Sequence, residues 1–244
     1  MERKFKIWRG DAKKGEFKTY SIKLEQGMVV LDAIHRIQVQ HSNDLAVRWN
    51  CKAGKCGSCS MEINGKPKLA CMTRLSDYAD NEVLTIQPLK TFPIIKDLVT
   101  DVSWNYEQNK KIIPFKPRER DPDGNHRFMQ RDADRIQEFR KCIECYLCQN
   151  VCHVLRDHDK KDKFVGPRFM LRLASLEMHP LDTEDRIEAI KKEHGSGMCN
   201  ITKCCTDVCP EHIQITDNAI IPLKERVVDE YYDPIQKLFK KIFK

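Results

Sequence analysis

The sequence predicts an α+β protein of two modules, a β-rich N-terminal one and a helical C-terminal one. Three observations point there. Apolar residues alternate at period two near the start, at Phe5 and Ile7 and again at Tyr20, Ile22 and Leu24, as half-buried strands do. From Asp132 onward the apolar spacing becomes helical. Eleven of the 12 cysteines fall into three closely spaced sets, a pattern of thiolates holding metal more than of a disulfide framework.

Each element follows from local pattern. After the two strands, Val30, Ile34 and Ile37 fall at helical spacing. Met61-Glu62-Ile63-Asn64-Gly65-Lys66 places an Asn-Gly turn between two short strands, the strongest short-range hairpin signal. A further strand over residues 83–87 ends at Pro88. Strands enclosing one helix, with a cysteine loop after it, suit a β-grasp ferredoxin domain. Ile94, Leu98 and Val102 are spaced for a helix leaving that domain, which is expected to span residues 1–106. Residues 107–131 are polar and carry Pro114, Pro117, Pro122 and Gly124, an extended linker. In the helical domain over 132–244, Ile136 and Phe139 lead into the second cysteine set, and Gly166-Pro167 opens a helix bearing Met170, Leu171 and Leu173. Thr216 is placed to cap a final helix running to Val228, with Pro222 near its first turn or kinking it.

Composition sets the class. With 244 residues, 41% hydrophobic and 32% charged, the chain holds two ordinary domains with a large wetted surface. No run of about 18 apolar residues suggests a membrane span. Met1-Glu2-Arg3-Lys4-Phe5-Lys6 lacks the apolar core of a secretory signal, so folding in a reducing cytoplasm is expected. The formal charge of +7 would suit nucleic acid as a partner. Each cysteine-bound cluster carries about −2, however, and three of them bring the total to roughly +1. A nucleic-acid partner is therefore not expected.

The first set, Cys51, Cys56, Cys59 and Cys71, reads C-x4-C-x2-C-x11-C, the plant-type [2Fe–2S] spacing. Gly54, Gly57 and Ser58 between its thiolates let the backbone approach the sulfides. Zinc ligands more often come as two C-x2–4-C pairs. The second set, Cys142, Cys145, Cys148 and Cys152, reads C-x2-C-x2-C-x3-C, and Cys199, Cys205 and Cys209 complete a bacterial ferredoxin pair with Pro210. In such pairs the last cysteine of each run ligates the other cluster. Cys142, Cys145, Cys148 and Cys209 are then ligands of a [4Fe–4S] cluster, and Cys152, Cys199 and Cys205 of another. Thr202 stands where that second cluster would find a fourth cysteine, which favours [3Fe–4S]. Cys204, two residues further on, either packs as a spectator thiol or captures a fourth iron.

These three sets, the linker, Arg48-Trp49-Asn50-Cys51, Lys163-Phe164-Val165-Gly166-Pro167 and Cys199-Asn200-Ile201-Thr202-Lys203-Cys204-Cys205 together resemble the iron–sulfur subunit of succinate dehydrogenase and fumarate reductase. The resemblance covers nearly the whole chain, and the last run is similar to a branch that includes actinobacterial complexes. It implies a flavoprotein partner with covalent FAD, a membrane anchor, and a peripheral place on the cytoplasmic side of the inner membrane. It also implies electron flow from FAD through [2Fe–2S], [4Fe–4S] and [3Fe–4S] to quinone, with no complete active site on this chain. Where the family often has proline after the fourth cysteine of the first ferredoxin run, this chain has His153; where an aromatic residue is common it has Asp157; where histidine is common it has Asn200. With Thr202, these positions border the quinone pocket in the resembling proteins.

Two other functions fit parts of the pattern. One is the iron–sulfur subunit of another dehydrogenase, such as a thiol-dependent fumarate reductase or a glycolate-type oxidase. The other is a zinc-stabilised nucleic-acid-binding module. The basic amphipathic end, with Ile235, Leu238, Phe239 and Ile242 on one helical face, suits either a membrane surface or packing on its own domain.

Overall fold

The computed structural model describes residues 2–235; the basic amphipathic end lies outside them from residue 236 on. Along the chain, β1 (Glu2–Gly10) and β2 (Gly15–Lys23) precede α1 (Val30–Gln40). The hairpin β3 (Ser60–Ile63) and β4 (Lys66–Leu69), then β5 (Leu84–Gln87) and the short β6 (Ile94–Lys96) and β7 (Val99–Thr100) follow. Helices then take over: α2 (Ser103–Lys110), α3 (Gln130–Gln137), α4 (Leu147–Val151), α5 (His153–Arg156) and α6 (Pro167–Glu177). The last are α7 (Ile187–Lys192), α8 (Cys204–Asp207) and α9 (Ile221–Tyr231). The described residues divide into two compact units, one of residues 2–104, Ile143–Val151 and Val208–Pro210, the other of Asn105–Cys142, Cys152–Asp207 and residues 211–235.

The first unit is a five-stranded mixed sheet in the order β2-β1-β5-β3-β4. Strand β1 alternates strictly, turning Phe5 and Ile7 inward at 0% exposure. It pairs antiparallel with β2 and parallel with β5. Helix α1 buries Leu31, Ile34 and Ile37 in the same core, and its first turn is closed by Val29 N–H donating to Asp32 Oδ2 at 3.0 Å. Asn64 and Gly65 both take positive φ, 49° and 74°, as a type I′ turn between β3 and β4 requires.

The helix expected from Ile94, Leu98 and Val102 does not begin there; β6 and β7 form a hairpin and the helix starts only at Ser103. The reason lies in Asp97, left-handed at φ 49° and 1% exposed. Its carboxylate accepts from Arg9 Nε at 3.0 Å, Gly10 N at 2.9 Å and Ala46 N at 2.8 Å. A helical turn would pull that buried charge away from its donors, and an unpaired buried carboxylate costs more than a helical spacing gains.

Helix α4 joins this unit through Asn150. Its side chain donates to the fully buried Glu62 at 2.8 Å and accepts from Thr91 N at 3.1 Å. This anchor carries Cys145 and Cys148 with it. An added Cβ on Gly57 would lie 2.6 Å from Cys145 Cα, so the first cysteine loop touches the backbone of the second run.

In the second unit, Gly166 at φ 84° turns into α6 with Pro167 in its first turn, and Phe169, Met170 and Leu173 fill the core. The segment after α2 is irregular but tied down: Arg118 N–H donates to Leu181 O at 2.8 Å and Thr183 N–H to Lys116 O at 2.9 Å. Arg186, 1% exposed, clamps it, donating to Ile113 O at 2.9 Å, Pro114 O at 2.6 Å and Asp182 Oδ2 at 2.9 Å. The expected final helix is in two parts. Ile215–Ile220 is a π turn, and α9 follows with Pro222 in its first turn. Proline has no N–H to give and its ring crowds the carbonyl four residues back, so the chain widens before it. Thr216 is no cap; it lies inside the π turn with its side chain buried.

Two expectations follow. Arg186→Met strands Asp182 in the interior and is expected to destabilise the protein by roughly 3–5 kcal/mol, read as a lowered denaturation midpoint; an unchanged midpoint would contradict the clamp. Gly57→Ala combines a left-handed backbone at φ 67° with a clash against backbone, about 2–5 kcal/mol together. Gly65→Ala, at φ 74° in open space, is expected to cost only about 1–2 kcal/mol; equal losses in thermal unfolding would show that the close approach is not real.

Candidate iron–sulfur centres

None of the 12 cysteines, all among the described residues, forms a disulfide. In the first loop, Cys51 is exposed, Cys56 half-buried, and Cys59 and Cys71 buried. Lys52, Gly54 and Gly57 take φ of 55°, 68° and 67°, which folds the chain back on itself. As a result Ala53 N–H and Lys55 N–H both donate to Cys51 Sγ at 3.3 Å, and Cys71 N–H donates to Cys59 Sγ at 3.4 Å. Burial raises the Cys56 thiol, but hydrogen bonds with Ser58 and Cys51 outweigh it and bring it down to about 7. Burial pushes the Cys59 thiol up to about 12, with the charges of Cys71 and Cys56 adding to the rise.

The second run divides between the units. Cys145 and Cys148 belong to the first, with Cys209, and Cys142 to the second. Glu144 and Tyr146 flank Cys145 at φ 56° and 60°. The third run repeats that backbone: Ile201 and Lys203 flank Thr202, both at φ 62°. Position for position, Thr202 occupies the place of Cys145 and Cys205 that of Cys148. Non-glycine residues in this conformation cost about 1–3 kcal/mol each, most for a β-branched one such as Ile201, and persist where something else holds them.

In the second unit, Cys152, Cys199, Cys204 and Cys205 line one small cavity together with His153 and Thr202. Burial, helped by the charges of the neighbouring cysteines, lifts the Cys152 thiol to about 11 and the Cys205 thiol to about 12. Thr216 Oγ1 lies 3.4 Å from Cys205 Sγ and accepts from Thr206 Oγ1 at 3.1 Å. Lys224 Nζ donates to Cys199 O at 2.7 Å, fixing a cation on the far side of the loop.

These donors fit an iron–sulfur group. Buried thiols with pKa values near 11–12 stay protonated and crowd one another unless a cationic core displaces their protons. The N–H donors to sulfur are the contacts that orient and tune such ligands. Among the described residues no three His, Cys, Asp or Glu side chains are placed to hold a single metal ion.

Of the residues singled out beside the third set, His153, Asn200 and Thr202 line the cavity, and the His153 ring lies 6.0 Å from that of His158. Asp157 is not brought there: it is exposed and pairs with Arg156 at 3.7 Å. Sequence reasoning missed Lys224 and the role of Thr216, because both reach the site from the far end of the chain and neither belongs to a spacing motif. It also missed Asn150, whose partners Glu62 and Thr91 lie far from it in sequence.

Residues 4–107 match a family described as a 2Fe-2S iron-sulfur cluster binding domain, and residues 138–213 one described as a 4Fe-4S dicluster domain. The fumarate reductase iron-sulfur subunit of Mycobacterium tuberculosis is 32% identical over 203 residues, 81% of this chain and 80% of that one. A subunit of the CoM/CoB fumarate reductase of Methanothermobacter marburgensis is 30% identical over 226 residues, 93% of this chain but 44% of that longer one. A chain of the Mycobacterium smegmatis Sdh1 complex in the apo form superposes with a TM-score of 0.93 at 60% identity, covering 96% of this chain and 98% of that one. Carrying both cluster domains in that order and matching such subunits over most of their length, this chain belongs to the family of succinate dehydrogenase and fumarate reductase iron–sulfur subunits.

Proposed function

We propose that this chain carries electrons between the FAD of a flavoprotein subunit and a quinone beside a membrane anchor, through [2Fe–2S], [4Fe–4S] and [3Fe–4S] clusters. Bound clusters supply reversible one-electron redox chemistry; the chain's own residues hold, space and tune them. Cys51, Cys56, Cys59 and Cys71 hold the first; Cys142, Cys145, Cys148 and Cys209 the second; Cys152, Cys199 and Cys205 the third. The observation that carries this reading is the repeated backbone of the two ferredoxin runs with Thr202 in the place of Cys145, which leaves three ligands and one open corner.

The chain's residues grade the path. Gly57 lets the first loop reach the backbone of Cys145, setting the first loop against a ligand of the second centre. Lys224, held on the Cys199 carbonyl, favours the reduced form at the third centre, since added negative charge is stabilised by a fixed cation. Trp49, 46% exposed, stands two residues before exposed Cys51, and Met72, 58% exposed, lies against Gly54 of the same loop, a surface suited to the flavoprotein. The cavity with His153, Asn200 and Thr202 is the quinone-side end. Among the described residues no helix is long and apolar enough to cross a membrane; a peripheral place on the cytoplasmic face, held by partners, is part of the proposal. The two modules are read as residues 1–106 and 132–244, joined by 107–131.

A second reading rests on the likeness to the CoM/CoB-type relative: service to a thiol-dependent fumarate reductase. Co-purified partners separate the two. Covalent flavin with a haem- or helix-rich anchor supports the first, and a heterodisulfide-reductase-like partner the second. The direct test is Cys51→Ser in the assembled complex. It is expected to lose the reduced-state [2Fe–2S] paramagnetic signal and electron transfer from dicarboxylate to quinone; a wild-type spectrum with full turnover would contradict the ligand assignment.

A further inference from the structure

The third run leaves a gap in sequence that the structure fills with sulfur. Thr202 stands where the second run has Cys145, between two left-handed residues, Ile201 and Lys203 at φ 62°. Those turns bring the next cysteine back on the gap: Cys204 Sγ lies 3.3 Å from Thr202 Oγ1. Cys204 also lines the same cavity as Cys152, Cys199 and Cys205. Four thiols thus surround one space, three at the positions the spacing assigns and the fourth beside the open corner. Cys204 opens α8 at the cavity wall, half-buried.

We propose that Cys204 is a latent fourth ligand that lets the third centre take up a ferrous ion, so that the site interconverts between three-iron and four-iron forms. The inference rests on the cluster assignment proposed above. In the capture, the three-iron form is first reduced by one electron arriving along the chain's own path. A ferrous ion then binds the three sulfides at the open corner and Cys204 Sγ, and the Cys204 thiol proton leaves to water. No electron moves in the capture step itself. Loss of the ion returns Cys204 to its thiol and its contact with Thr202. The consequence is an exit centre whose redox properties follow ferrous iron supply and reduction state, since changing cluster type changes potential.

The test uses the assembled complex, wild type and Cys204→Ala, reduced anaerobically and incubated with ⁵⁷Fe-enriched ferrous ion. In the wild type the oxidised-state signal of the three-iron form is expected to fall at least tenfold more than in Cys204→Ala, with the label appearing in a four-iron Mössbauer spectrum. A wild type already in the four-iron form as isolated, with Cys204→Ala in the three-iron form, supports the proposal equally. Equal conversion in both proteins, or none in the wild type, overturns it. Should Cys204→Ala fail to assemble, Cys204→Ser keeps the volume and is expected to bind the added iron more weakly than wild type; equal retention overturns the proposal. A complex with only two clusters would instead remove the cluster assignment itself, a failure distinguishable by iron and sulfide content.

Discussion

Wrapping a short peptide around a cluster forces the backbone into left-handed turns, and much of this structure exists to hold those turns in place. Lys52, Glu144, Tyr146, Ile201 and Lys203 all take φ between 55° and 62°, where a side chain is unwelcome. The strain is borne by what lies around each loop. In the first unit, the sheet and α1 fix the ends of the first loop, and Asn150 with Glu62 and Thr91 pins the helix that leaves Cys148. In the second, Lys224 holds the Cys199 carbonyl and Thr216 stands against Cys205. At Gly57 glycine relieves the strain where bulk is also forbidden, against the backbone of Cys145.

The electrostatics follow from the same requirement. Bringing thiols together in a buried place raises their pKa values, to about 12 for Cys59 and Cys205 and about 11 for Cys152. Left to themselves such groups would be neutral and in each other's way. A cationic iron core turns this penalty into the reason for binding, because it replaces the protons the burial retains. Cys56 is the exception: at the half-exposed edge, with Ser58 and Cys51 bonded to it, its thiol falls to about 7.

Much of the fold is legible in the sequence because its signals are local. The alternation of Phe5 and Ile7, the Asn64-Gly65 turn and the Gly166-Pro167 helix start each act over a few residues, and each is where the sequence puts it. The failures share a physical cause. Leu98 sits at helical spacing, but Asp97 collects three donors from distant segments and bends the chain into a hairpin. Thr216 has the chemistry of a cap, but a proline six residues on widens the helix and turns its hydroxyl to Cys205. Spacing groups the cysteines; it is silent on Lys224 and Asn150, which depend on contacts between remote stretches of chain, and on the turn that sets Cys204 against Thr202.

The proposed electron path depends on three sets of thiols holding three distinct iron–sulfur centres. The most direct measurement is an anaerobic redox titration of the purified complex followed by electron paramagnetic resonance, with iron and acid-labile sulfide determined on the same sample. Three separately titrating centres assigned to this chain are predicted, one of them paramagnetic when oxidised. A colourless protein containing zinc and no acid-labile sulfide, or one with fewer centres than cysteine sets, would contradict it.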